Sequence, residues 1–129
     1  MVDRARAVII EDSKVLLMHR CKAGREYYSF PGGGVEPGET PEQACVREVL
    51  EETSLDVEIV SYLAGNDFNG QKESFYLVKK LSGEVRLGGP ELDRLCDDNL
   101  YEPMWVQIDR LAELPVFPRH VVEIVIKQI

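Results

Sequence analysis

The chain has 129 residues, 44% of them hydrophobic, with 15 lysines and arginines against 23 aspartates and glutamates for a formal net charge of −8. That length buries a core and suits one domain, so residues 1–129 are read as a single domain, and the acidic balance excludes a sequence-independent grip on duplex nucleic acid, which needs a lysine- and arginine-rich surface to displace counterions. No apolar run approaches the roughly 18 residues of a membrane span, the opening Met1-Val2-Asp3-Arg4-Ala5-Arg6 lacks the apolar stretch of a signal peptide, and Cys21, Cys45 and Cys96 are odd in number with no Cys-x-x-Cys pair, so a cytoplasmic chain without disulfides or structural zinc is expected.

Alternation and turn residues predict strands over Arg4–Glu11 and Lys14–His19, joined at Asp12-Ser13 as a hairpin, then a short extended piece at Tyr28–Phe30. A glycine-rich turn, Pro31-Gly32-Gly33-Gly34, leads toward a helix whose start is well marked: Thr40 is its N-cap, Pro41 fits its first position, and Gln43 completes a capping box with Thr40. Ala44, Cys45, Val46, Val49 and Leu50 form the apolar stripe of that helix. Strands follow at Val57–Ala64 and Lys72–Lys80, with turns expected at Gly65-Asn66-Asp67, Asn69-Gly70 and Ser82-Gly83. A strand at Met104–Ile108 and a helix from Pro118 to Lys127, striped by Val121, Val122, Val125 and Ile126, complete the chain. The order implies an α/β domain, a mixed sheet with helices on both faces. Cys45 and Trp105 read as core, and Cys21 as a small residue after a strand rather than a reactive thiol.

The first helix carries an unfavourable cluster. Glu48 neighbours both Glu51 and Glu52 at helical spacing, each like-charged pair costing roughly 0.2–0.5 kcal/mol. Carboxylates in a last turn also oppose the helix dipole by about 0.3–1 kcal/mol each. A divalent cation would remove both penalties, and several hard oxygen ligands suit Mg²⁺ or Mn²⁺. A solvated helix face is the plainer reading, eased by an Arg47–Glu51 pair one turn apart. What favours the metal is the glycine turn upstream, since Gly32 to Gly34 allow close backbone approach, with carbonyls and N–H groups free to reach a metal or a phosphate.

These residues resemble the Nudix hydrolase signature, G-x5-E-x7-R-E-U-x-E-E-x-G-U with U a bulky aliphatic. Gly33, Glu39, Arg47, Glu48, Val49, Glu51, Glu52 and Leu55 stand at the required spacing, and Ser54 replaces the late glycine, at a helix end where the left-handed conformation is cheap for glycine. The resemblance implies a Nudix-like α/β/α sandwich. It implies that Glu48, Glu51 and Glu52 bind Mg²⁺ (or Mn²⁺) together with the backbone carbonyl of Gly32 or Gly33, while Arg47 and Glu39 hold those carboxylates in place. It further implies a water attacking a diphosphate, with a carboxylate taking its proton. Glu48, Glu52, Glu91, Asp97, Asp98 and Glu102 all stay open as that base.

The substrate is less legible. The proline that ADP-ribose members carry downstream is Gln71 here, and the tyrosine of dinucleoside polyphosphate members is not matched at Lys72 or Glu73. The chain is similar to the short MutT-like members, which implies cleavage of (deoxy)nucleoside triphosphates, oxidised ones included, to monophosphate and pyrophosphate. A nucleotide sugar or other organic diphosphate, or a non-catalytic binding module, are the alternatives. Arg20, Tyr28 and Gly34 are the candidate substrate contacts: a local positive charge, a base-stacking ring and a backbone cradle. Tyr27, Phe68, Phe75 and Tyr76 are further aromatics near the motif. The partner expected is a small phosphorylated molecule; the oligomeric state stays open, a homodimer included.

Overall fold

The computed structural model describes residues 3–85 and 99–127, with the side chains of Phe68, Asn99 and Leu100 left aside. Among these residues the elements are β1 Arg4–Glu11, β2 Lys14–Lys22, β3 Arg25–Ser29, β4 Gly32–Gly34, α1 Pro41–Thr53, β5 Asp56–Phe68, β6 Gln71–Ser82, β7 Asn99–Gln107, a 3-10 turn at Ile108–Arg110, β8 Val116–Phe117 and α2 Arg119–Lys127.

Strand β1 is the seam of the sheet. Arg4 to Ile9 pair in parallel with Glu73 to Val78 of β6, and Arg4, Ala5 and Arg6 pair on the other edge with Gly34, Gly33 and Gly32 of β4. Ile10 and Glu11 instead pair with Val15 and Lys14 of β2, so the sheet curls where β1 passes from one set of partners to the other. Asp12 (φ 52°) and Ser13 (φ 62°) make that hairpin turn with both central residues left-handed, the geometry whose twist matches paired strands. β2 carries β3 and β7 antiparallel on its two edges, β3 takes β8 in parallel, and β5 lies antiparallel outside β6.

Alternation along these strands sorts the core into two layers. Ala5, Ala7, Ile9, Leu16, Tyr76 and Val78 pack with Ala44, Cys45 and Val49 of α1. Val8, Val15, Leu17 and Phe75 pack on the other face with Val121, Val122 and Val125 of α2. The mixed sheet therefore lies between two helices, the sandwich expected from the order of elements. Trp105 packs against the α1 layer, and no helix of the described residues is long and apolar enough to cross a membrane.

Several boundaries move. β2 runs on to Lys22, the following strand occupies Arg25–Ser29 and leaves Phe30 outside it, and the expected glycine turn is itself a strand. Gly65-Asn66-Asp67 is not a turn either. It continues β5, with Gly65, Asn66 and Asp67 paired to Ser74, Glu73 and Lys72, and the chain reverses only at Asn69 (φ 51°) and Gly70 (φ 83°). The cause is cross-strand: Asn66 Nδ2 donates to Glu73 Oε1 at 2.8 Å, and Asp67 stands opposite Lys72, contacts that outweigh the weak strand preference of Gly, Asn and Asp.

Candidate active site

Helix α1 starts as its residues require. Gln43 N–H donates to Thr40 Oγ1 at 3.1 Å and Thr40 N–H donates to Gln43 Oε1 at 2.9 Å, closing the capping box. At the other end Ser54 adopts φ 68°, ψ 13°, and its N–H donates to Leu50 O at 3.0 Å, so serine stands in the left-handed position where the signature has glycine. Cys45 is fully buried, and burial followed by the charge of Glu42 pushes its thiol up to about 12.

The glycines before the helix are dictated by crowding. A Cβ on Gly32 (φ 148°) would fall 2.2 Å from Ala5 O, and one on Gly33 would fall 2.6 Å from both Cδ and Oε2 of Glu48. The space that a side chain on β4 would take is filled by the β1 backbone at Gly32 and by the Glu48 carboxylate at Gly33. Pro31 O and Val35 N–H bond across to Ala7 and Asp3 of the β1 side, while Gly32 N–H and Gly34 O turn toward α1.

Those two backbone groups meet the helix. Gly32 N–H donates to Glu52 Oε1 at 3.1 Å, and Tyr101 Oη donates to Glu52 Oε2 at 3.2 Å. Burial, followed by the charge of Glu48, pushes the Glu52 carboxyl up to about 7 against the lowering effects of Gly32 N–H and Tyr101. Burial and the Glu52 charge also push the Tyr101 hydroxyl well above its usual range. Arg47 is the hub of the opposite side. Its Nε and Nη2 donate to Glu39 Oε2 and Oε1 at 2.7 and 3.0 Å, Nη2 also donates to Gly34 O at 3.0 Å, and Nη1 reaches Glu48 at 3.3 Å and Glu51 at 3.4 Å. Hydrogen bonding to Arg47, then to the Glu36 N–H, holds the Glu39 carboxyl at about 2.

Glu39, Arg47, Glu48 and Glu52 are thus gathered along the β4–α1 seam with Gly32, Gly33 and Gly34. Glu51 leans outward to Arg47, its side chain 58% exposed. Arg20 stands beside the site through Tyr101, its guanidinium 4.9 Å from that ring. Tyr28 is half-buried against the α2 layer and stacks on His19 with ring centroids 4.8 Å apart, while Phe75 and Tyr76 are core. Glu102 follows Tyr101 on β7 and faces His19 on the other side of the sheet, at 3.9 Å from Nδ1. Glu91, Asp97, Asp98 and Cys96 lie outside the described residues.

Tyr101 was not among the residues that the sequence singles out. It is 49 positions from Glu52 and reaches it only because β7 pairs with β2, so no local spacing could mark it. Arg6, which the sequence offers only as local positive charge, also works across the sheet: its Nε donates to Glu73 Oε2 at 2.7 Å and its Nη1 to Phe30 O at 2.8 Å, bracing β1 and β6 against the entry to β4.

The family model described as the NUDIX domain matches residues 1–123. The chain belongs to the Nudix family. Relatives include an RNA pyrophosphohydrolase of Legionella pneumophila strain Corby, 34% identical over 74% of this chain and 68% of that protein, and an RNA pyrophosphohydrolase of Psychromonas ingrahamii, 30% identical over 67% of this chain. The match spans 61% of the length of the Psychromonas protein. Among solved structures, a MutT described for Aliivibrio salmonicida and Vibrio cholerae superposes with a TM-score of 0.74 at 29% identity, covering 99% of this chain and 98% of that one.

Proposed function

We propose that this chain hydrolyses the diphosphate linkage of a (deoxy)nucleoside triphosphate, releasing the monophosphate and pyrophosphate. The observation that carries the reading is the seam itself, in which the carboxylates of Glu48 and Glu52 rest on Gly33 and on the N–H of Gly32 while Arg47 holds Glu39, Glu48 and Glu51 from the side. The donor set is all oxygen and negatively charged, and Glu52 is partly desolvated beside Glu48, so the residues fit a hard divalent cation such as Mg²⁺ or Mn²⁺. Glu48, Glu51, Glu52 and the backbone carbonyl of Gly32 or Gly33 would hold it. The chemistry such an ion supplies is neutralisation of phosphate oxygens and acidification of bound water.

The protein's own groups do the rest. Arg47 fixes carboxylate rotamers through its paired bonds to Glu39 and Gly34 O, a geometry that lysine cannot reproduce. Tyr101 and Gly32 each hold one oxygen of Glu52, which sets its direction. Arg20 lies over the ring of Tyr101, which holds Glu52, and brings positive charge near the seam for a phosphate chain, whereas Gly34, expected as a backbone cradle, has its carbonyl taken by Arg47 and its strand paired with Arg4. In this reading Glu48 or Glu52 accepts the proton of the attacking water, since Glu102 faces His19 on the other side of the sheet.

A second reading is favoured by the relatives, which are named RNA pyrophosphohydrolases: the triphosphate would then be the 5′ end of an RNA rather than a free nucleotide. The test is pyrophosphate release in Mg²⁺ from nucleoside triphosphates, oxidised ones included, beside a 5′-triphosphorylated RNA and a nucleotide sugar. Turnover of free nucleotides that Glu52→Gln abolishes supports the first reading. Turnover of RNA alone supports the second, turnover of the sugar alone replaces the substrate, and none at all in folded protein with Mg²⁺ overturns the hydrolase reading in favour of a binding module.

A further inference from the structure

On the face of the sheet opposite Tyr101 and Glu52, three donor atoms of different chemistry converge. His19 and Cys21 stand two apart on β2 and share a face, and Cys21 is the register partner of Glu26 on β3. The donor atoms of His19, Cys21 and Glu26 lie within 4.8 Å of one another, with His19 Nε2 at 2.6 Å from Glu26 Oε2 and 4.0 Å from Cys21 Sγ. Among the described residues this is the group of three such donors drawn that close; the motif glutamates are not.

We propose that His19 Nε2, Cys21 Sγ and a Glu26 carboxylate oxygen form a second cation site, for a borderline-soft divalent ion of the Zn²⁺ class, separate from the all-oxygen site on α1. Nitrogen and thiolate donors select this class over Mg²⁺, and three protein ligands leave the fourth tetrahedral position to water. Tetrahedral ligation at Zn–N about 2.05 Å and Zn–S about 2.3 Å puts neighbouring donors roughly 3.4–3.6 Å apart. The two separations from His19 Nε2 straddle that value, so Cys21 closes on it by about half an ångström and Glu26 opens from it by somewhat less than one, while Cys21 and Glu26, within 4.8 Å of each other, close by up to about 1.2 Å.

The surroundings support an ion. Two carboxylates bracket one imidazole, Glu26 at Nε2 and the buried Glu102 at 3.9 Å from Nδ1, so negative charge exceeds positive if the ring is neutral. Tyr28 stacked on the ring limits its rotation, and Glu102, 3.9 Å from Nδ1 and beyond hydrogen-bond reach, adds negative charge on the far side of the ring. Entry is from the Glu26 side, since that side chain is 43% exposed while His19 and Cys21 are buried. On binding, the His19 Nε2–Glu26 hydrogen bond breaks and its proton leaves for solvent or for Nδ1 of the neutral ring, the Cys21 thiol gives its proton to solvent, and three metal bonds form without redox change. Cysteine spacing alone argued against zinc because this set draws one cysteine, one histidine and one glutamate from two strands.

The test uses the full chain, stripped with chelator and titrated with Co²⁺ as the probe. One equivalent is expected to develop a near-ultraviolet thiolate-to-cobalt charge-transfer band, which Zn²⁺ displaces. Glu48→Gln/Glu51→Gln/Glu52→Gln, Cys96→Ser and Cys45→Ala keep the band, which separates this site from the hydrolase reading and from the other two thiols. Cys21→Ser loses it, and Glu26→Gln, a change to an exposed side chain that leaves the fold alone, weakens Co²⁺ binding about tenfold or more. Absence of the band in the wild-type chain, its survival in Cys21→Ser, or unchanged affinity in Glu26→Gln overturns the site. If Cys21→Ser fails to fold by circular dichroism, Glu26→Gln decides alone.

Discussion

Arg47 and Glu39 face each other as fork to fork, Nε to Oε2 at 2.7 Å and Nη2 to Oε1 at 3.0 Å, across the turn that feeds α1. The same guanidinium holds Gly34 O and reaches Glu48 and Glu51, so one side chain ties β4, the loop and the helix together. Arg47→Lys keeps the charge and loses the fork. We expect it to lower kcat/KM for the substrate turned over, and the affinity for Mg²⁺, by about 10–100-fold. Steady-state kinetics with a Mg²⁺ titration checks this, and a lysine variant with wild-type constants would refute the positioning role.

The same pair has a pH signature. The carboxyl of Glu39 sits at about 2 in the folded chain against 4.5 in the unfolded one, so the folded state binds its proton less tightly. Its contribution to stability is present above pH 4.5 and is lost as the pH falls from there through about 2. Thermal midpoints of the wild type and Glu39→Gln, read from pH 7 down to pH 2, are expected to differ by a constant gap above pH 5 that closes on acidification. A gap that stays constant down to pH 2 would remove the ion pair as its cause.

Gly32 and Gly33 separate folding from function. An added methyl at Gly33 meets the far end of a flexible carboxylate, which can swing aside, whereas at Gly32 it meets the carbonyl of Ala5 with φ at 148°. Gly33→Ala is therefore expected to keep its thermal midpoint and to lose about 10²-fold in turnover, because Glu48 is displaced. Gly32→Ala is expected to unfold or to aggregate. Equal loss of stability in both variants would contradict this division.

Ser54 is a position where the chain departs from its family's signature at an energetic cost. A non-glycine residue in the left-handed conformation costs about 1–2 kcal/mol, offset in part by the extra freedom glycine would have unfolded. Ser54→Gly is expected to stabilise the chain by a few tenths to about 1 kcal/mol and to raise its thermal midpoint by about 1–4 °C, with unchanged kinetics. A calorimetric scan beside a rate assay tests both halves, and a lower midpoint would show that the serine supplies something its backbone geometry does not reveal.

The amino-acid sequence by itself determined the helix and the cluster of charged side chains it bears. Thr40, Pro41 and Gln43 cap it, Ala44, Cys45 and Val49 of its stripe take the buried face while Leu50, expected with them, is 51% exposed and Thr53 is buried instead, and Arg47, Glu48, Glu51 and Glu52 follow from spacing because neighbours on a helix are separated by three or four residues. The hairpin at Asp12-Ser13 was legible for the same local reason. Only the tertiary structure decided what depends on strand pairing. It turned Gly32–Gly34 into a strand, carried β5 through Gly65-Asn66-Asp67, brought Tyr101 onto Glu52, and set Glu26 beside His19 and Cys21. Register joins residues far apart in the chain, and it is chosen by the packing of a whole sheet between two helices, a condition that no local window of residues contains.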